Sequence, residues 1–171
     1  MIPGMTDSAE TSYWQSWMSE RLSVRDIEEG EALAPKFDRD RLLPVVTTDA
    51  ASGEVLMLGV MNAEALARTI ESGEAHYWSR SRQSLWRKGT TSGFVQKVIE
   101  MRIDDDQDAI WLRVEIADRG GSCHVGYRSC FYRSVPIGSP QSAPVTLRFV
   151  ETKKLFDPHE VYGDAPNPTQ L

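Results

Sequence analysis

Residues 94–118, FVQKVIEMRIDDDQDAIWLRVEIAD, hold two alternating stretches separated by an acidic run, and their reading decides the fold. In the second stretch Ile110, Leu112, Val114 and Ile116 alternate with Trp111, Arg113 and Glu115. In the first, Val95, Lys97, Ile99 and Met101 take the alternating positions over part of the length. A period of two sends successive side chains to opposite faces, so the pattern predicts two half-buried antiparallel strands. The run between them, Asp104-Asp105-Asp106-Gln107-Asp108, is then a hairpin-like loop.

Working outward, LLPVVTTD and EVLMLGVM read as two apolar strands joined by the turn residues Ala50-Ala51-Ser52-Gly53. Asn62 is a suitable N-cap for a helix over AEALARTIES, with Ala65, Leu66, Thr69 and Ile70 on one face and Gly73 as its stop. HYWSR and SLWRKG predict short strands, and APVTLRFVE a last one. Near the N-terminus, Trp14, Trp17, Met18 and Leu22 fit one face of a short docking helix, with a frayed extension as the other reading. The expectation is an α+β domain over residues 39–156, mainly antiparallel with one main helix. It is flanked by an N-terminal extension over 1–38 and a C-terminal tail over 157–171 that wraps the surface or stays disordered.

At 171 residues the chain suits one domain with a sizeable core. No stretch approaches the roughly 20 apolar residues of a membrane helix, and the first residues lack the basic and apolar regions of a secretory signal. A cytoplasmic location is expected. The net charge of −6 argues against a non-specific nucleic-acid binder but not against a small phosphorylated ligand, for which a few local cations suffice.

Three segments carry chemistry. Asp104, Asp105, Asp106 and Asp108 crowd four carboxylates into five positions, either as a solvated turn or as oxygen ligands for a hard divalent cation such as Mg²⁺. The only cysteines, Cys123 and Cys130, flank six residues and adjoin His124. They read either as buried thiols beside a surface imidazole, or as soft ligands for Zn²⁺ with a proton-transfer group next to them. HYWSRSRQSLWRKGTTSG brings together Arg80, Arg82, Arg87, Lys88, Ser92 and two tryptophans. That mixture suits an anionic ligand with a base to stack on Trp78 or Trp86, or else a basic outer strand with its tryptophans in the core.

Taken together, LMLGVMNAEAL, GEAHYWSRSR, WRKGTTSG, DDDQDA and CHVGYRSCFYR occur in the order found in phosphoribosyl-AMP cyclohydrolases, and the chain resembles that family from about Leu42 to Arg133. The resemblance implies an open β-barrel-like core and a homodimer that exchanges segments, with metal sites at the interface. It implies a metal-dependent hydrolase that opens the adenine ring of phosphoribosyl-AMP between N1 and C6 in histidine biosynthesis. Carried over by motif position, Cys123 and Cys130 match zinc ligands, Asp104, Asp106 and Asp108 match magnesium ligands, and His124 matches a proton-transfer histidine. Arg80, Arg82, Trp86, Lys88 and Ser92 fall in segments that face the substrate.

Three departures from the family pattern stand out. Asp105 occupies the place of a third zinc-ligating cysteine contributed across the dimer, which makes it a possible third ligand and hardens the site toward Mn²⁺ or Fe²⁺. Arg87 replaces a histidine and Thr90 a glutamate. The stretch before Cys123 is about two residues longer than the pattern. The alternatives are a paralogous metal-dependent hydrolase of another purine-like compound, and a non-catalytic metal- or nucleotide-binding homologue.

Overall fold

The computed structural model describes residues 13–117, 120–138 and 144–169. A short helix α1 (Val24–Glu29) precedes strands β1 (Leu43–Asp49) and β2 (Val55–Met61), then helix α2 (Ala63–Ser72). Strands β3 (His76–Ser79), β4 (Ser84–Arg87), β5 (Gln96–Ile103) and β6 (Ile110–Ile116) follow, and two-residue strands β7 (Arg133–Ser134) and β8 (Arg148–Phe149) precede helix α3 (Pro158–Tyr162). The fold is α+β, and no described helix is long and apolar enough to cross a membrane.

The main sheet runs β2-β1-β6-β5, with β3-β4 and β7-β8 as separate pairs. All pairings are antiparallel except β1 with β6, which run parallel from Val45 opposite Ile110 to Asp49 opposite Val114. The domain is mainly antiparallel as expected, and the one parallel pair makes its main sheet mixed. The intervening elements carry the chain across before β6 returns beside β1, as a parallel pair demands a crossover. The described sheet is open, with β2 and β5 at its edges, and no closed barrel forms among the described residues.

Helix α2 forms as its sequence predicts: the Asn62 side chain accepts from the Ala65 N–H, and Gly73 adopts a left-handed cap at φ 69°. It packs on β3 and β2 through Ala65, Leu66, Ala67 and Thr69, whereas Ile70, expected on the same face, is exposed. Strand β6 buries Ile110, Leu112 and Val114 as expected. In β5 the buried face differs from the expected one: Gln96 is fully buried, while Lys97 and Ile99 point outward. A bulge between Val98 and Glu100 causes this, because one extra residue shifts the alternation by one. Of the N-terminal apolar residues expected on one face, Trp14 is buried, but Leu22 is 76% exposed. The expected last strand is reduced to β8, and residues 139–143 lie outside the described residues.

A line of buried polar groups threads this core. The Tyr77 hydroxyl on β3 lies 2.7 Å from Thr47 Oγ1 on β1 and donates to Gln96 Oε1 on β5 at 2.8 Å. Gln96 Nε2 in turn donates to Ser122 Oγ at 3.1 Å. Tyr77, Thr47 and Gln96 have no solvent exposure, so each polar atom depends on these partners. Burial holds the Tyr77 hydroxyl protonated, its pKa displaced well above the ordinary phenol value. Gly59 on β2 makes room for the ring, since a Cβ there would meet Tyr77 Cδ1 at 2.8 Å. Replacing Tyr77 with Phe removes a hydroxyl and leaves Gln96 Oε1 without its donor. Urea unfolding is expected to show a loss of about 1–3 kcal/mol, whereas an unchanged midpoint would mean that the chain of bonds carries no stability.

Candidate active site

Ser122 ends this chain of bonds, and Cys123 follows it in the loop Ser122–Cys130. The loop closes on itself, with Ser122 N–H donating to Arg128 O at 2.8 Å and Cys123 N–H to Tyr127 O at 3.2 Å. Its far end is pinned to β2, where Cys130 N–H reaches Leu56 O at 2.7 Å and Ser129 Oγ donates to Val55 O at 2.7 Å. Arg128 joins Asp49 and Glu54, at 2.8 Å each, across the β1–β2 turn. These contacts bring the two cysteines back to one place although six residues separate them.

Cys123 is buried, while Cys130 is exposed and lines a cavity of about 520 Å³. The two thiols lie within reach of each other. Cys123 accepts a hydrogen bond from Cys130, which, with N–H groups of the loop and the nearby Lys88 ammonium, pulls its pKa down to about 6. Cys130, as the donor and itself partly desolvated, is pushed the other way. Lys88 follows β4, is only 5% exposed, and donates to the Ser122 carbonyl at 2.6 Å. Its ammonium also lies 5.0 Å from the centre of the Trp86 ring. Burial lowers the Lys88 pKa, and the two thiols oppose that shift.

The same cavity is lined by Arg82, Trp86, Lys88, Ser92, His124 and Cys130. With Trp78, seven of the residues singled out from sequence thus converge there. Arg82 stands over Trp86 with its guanidinium carbon 5.7 Å from the ring centre. Desolvation lowers the His124 pKa, which favours the neutral imidazole at neutral pH. Arg80 sits at the β3–β4 turn and does not line the cavity.

The acidic loop is elsewhere. Asp104, Asp106 and Asp108 bring one carboxylate oxygen each within 4.8 Å of one another, an arrangement that could bind a metal ion. Asp104 Oδ1 also accepts from the Asp108 and Ala109 N–H groups at 2.8 and 3.0 Å, which shapes the hairpin. Lys36 from the N-terminal extension lies 2.8 Å from Asp106 and 3.2 Å from Asp108, and its ammonium holds the Asp106 carboxyl below the usual range. Asp105 is exposed and lines a separate depression with Ile27, Gly30 and Gln107. Among the described residues no third His, Cys, Asp or Glu joins the two thiols.

Comparison with known proteins identifies the family. Residues 57–132 match the family model for phosphoribosyl-AMP cyclohydrolase. A phosphoribosyl-AMP cyclohydrolase of Rhodopseudomonas palustris (strain HaA2) is 58% identical over 141 residues, covering 82% of this chain and 93% of the relative. One from Nitrobacter winogradskyi is 54% identical over 145 residues, covering 85% of this chain and 97% of the relative. The chain belongs to the phosphoribosyl-AMP cyclohydrolase family.

Two departures from the family pattern fall outside the cavity. Arg87 pairs with Glu74 at 2.6 Å, and Thr90 Oγ1 donates to the Arg87 carbonyl at 2.9 Å; neither lines the cavity. The longer stretch before Cys123 includes residues 118–119, which lie outside the described residues. Sequence reasoning missed one wall. Pro158, His159 and Tyr162 of α3, and Asn167 beyond it, line the cavity. A signal was present: Asp157, Pro158 and Glu160 form the cap, first-position proline and third-position acid of a helix start.

Because the thiol pair gives up its first proton near pH 6 rather than near 9, metal-free protein is expected to carry one thiolate per chain at neutral pH. Ultraviolet titration of thiolate absorbance checks this. A first step at the ordinary thiol pKa, or a step near 6 that survives Cys123→Ser, contradicts it.

Proposed function

We propose that this chain is a metal-dependent, cytoplasmic phosphoribosyl-AMP cyclohydrolase of histidine biosynthesis, hydrolysing the bond between N1 and C6 of the adenine ring. The observation that carries the reading is the convergence of Cys130, His124, Lys88, Arg82 and Trp86 on one cavity, in a chain more than half identical to relatives bearing that name.

The donor set fits the implied metals. Two thiols of which one ionises readily suit Zn²⁺, and three converging carboxylates suit Mg²⁺. When bound at the thiols, Zn²⁺ would supply an activated water at neutral pH. Cys123 and Cys130 would hold it, and the bonds from Gln96 and Lys88 to Ser122 fix the residue before the first of them. His124, held neutral by desolvation, takes a proton from the water that adds at C6 and delivers one to N1 as the C6–N1 bond breaks. Trp86 offers a face for the purine, while Arg82 and the Ser92 hydroxyl supply donors for phosphate oxygens. Arg80, on the β3–β4 turn, stands outside the cavity and is given no role in it.

The thiol site needs a further ligand, and among the described residues none is brought to it. A segment-exchanging homodimer supplies the lack, with Asp105 of a second copy as third ligand and the barrel-like core completed between subunits. An oxygen in place of a third sulfur makes the site harder, so Mn²⁺ and Fe²⁺ compete better there than at a three-thiolate site. Arg87 and Thr90 stand outside the cavity and leave the substrate-facing surface unaltered, which favours the cyclohydrolase over a paralogue of different specificity.

Ultraviolet monitoring of phosphoribosyl-AMP turnover, with Mg²⁺ and each of Zn²⁺, Mn²⁺ and Fe²⁺ in turn, tests the reading. Turnover is expected with zinc and, to a comparable degree, with a harder metal, and Cys123→Ser is expected to lose bound zinc and fall to background. No turnover with any metal defeats the assignment, and activity with zinc alone defeats the role given to Asp105.

A further inference from the structure

The C-terminal segment is anchored before it reaches the cavity. The Leu155 N–H donates to the Gly126 carbonyl at 2.7 Å, and the Phe156 ring packs on Phe94 with centroids 4.9 Å apart. Gly126 takes φ +102°, and a Cβ there would meet the Phe156 carbonyl oxygen at 2.5 Å. This close approach, on the loop that carries both cysteines, requires glycine. From that anchor the chain caps α3 with Asp157 and runs past Gly163 to Pro168 along the cavity.

This placement is not explained by core packing. No residue of α3 is buried, and residues 163–169 are exposed. What the segment does touch is the site. Tyr162 and Ser92, and Asn167 and His124, line the same cavity, with the Tyr162 hydroxyl beside Ser92 and the Asn167 side chain beside His124. The Tyr162 ring also lies 6.2 Å from Phe156, which ties it to the anchor. The segment lies beyond residues 57–132 that match the family model.

We propose that Pro158–Pro168 forms a wall of the substrate site, in which Tyr162 contacts the bound nucleotide and Asn167 positions His124. The proposal rests on the nucleotide-hydrolase reading of the cavity and deepens it. Tyr162 presents an aromatic face and a neutral hydroxyl, a pairing that suits a ribose or base edge. The Asn167 carboxamide can bond one imidazole nitrogen and so orient the other toward the reacting atoms. Pro158, Pro166 and Pro168 restrict the backbone, so the wall loses little conformational freedom when a ligand binds.

The test uses full-length Tyr162→Ala, Asn167→Ala and Asn167→Gln variants with zinc and magnesium present. It reads AMP affinity by calorimetry, kcat and KM for phosphoribosyl-AMP, and the thermal midpoint. Tyr162→Ala is expected to weaken AMP binding and raise KM about tenfold, the scale of one lost contact, with kcat and midpoint held. Asn167→Ala is expected to lower kcat about tenfold with AMP affinity held, and Asn167→Gln to recover part of it. Unchanged AMP affinity and KM in Tyr162→Ala, or no AMP binding by the wild-type chain, overturns the wall. Equal loss of kcat and AMP affinity in Asn167→Ala overturns the positioning role. A wild-type chain that binds AMP without turning over phosphoribosyl-AMP defeats the functional reading instead, and AMP affinity in Tyr162→Ala still decides the wall.

Discussion

The buried bond from Gln96 to Ser122 is the constraint on which the site depends. Gln96 has no solvent exposure, so its carboxamide must find partners inside the protein. It accepts from Tyr77 and donates to Ser122, and the Ser122 carbonyl then accepts from Lys88. One run of polar contacts thereby links β1, β3 and β5 to the residue before Cys123. A buried carboxamide left unpaired costs about 1–3 kcal/mol, and a buried ammonium more. Slippage of the cysteine loop would break both bonds to Ser122, so the loop is held in one register by the energy of satisfying groups that cannot reach water.

That constraint explains why so much of the site lies on elements that are themselves ordinary. Lys88 is buried because its ammonium has a carbonyl, an aromatic face and a thiol pair around it. Its charge adds to the hydrogen bonds that favour the Cys123 thiolate, and both thiols oppose the shift that burial imposes on the ammonium.

Much of the fold was legible from residues that act locally. Asn62 and Gly73 bound α2 because capping is decided within one turn. Ile110, Leu112 and Val114 marked β6 because the alternation there is uninterrupted. The buried face of β5 was not legible, since the bulge before Glu100 depends on pairing with β6 and leaves no mark in the alternation. The parallel approach of β1 and β6 is likewise a property of the crossover, not of either strand. In the site, Cys123, Cys130, Arg82, Trp86 and Lys88 stood out by chemistry and spacing. Tyr77, Tyr162 and Asn167 did not, because a core tyrosine and a polar, proline-rich tail carry no distinctive pattern until the chain folds back.

Within one chain the structure brings together two thiols, while three carboxylates that could bind a metal stand apart on the β5–β6 hairpin. Activity therefore turns on whether two copies combine these halves. Cys123→Ser chains and chains carrying both Asp106→Asn and Asp108→Asn, each expected to be inactive, can be unfolded together and refolded with metal. One site of a mixed dimer would then hold both cysteines of one subunit and the intact acidic loop of the other. Reappearance of phosphoribosyl-AMP turnover in the mixture, in proportion to the mixed dimers seen by native mass spectrometry, is the expected result. Mixed dimers without turnover, or a fully active wild-type monomer, would contradict it.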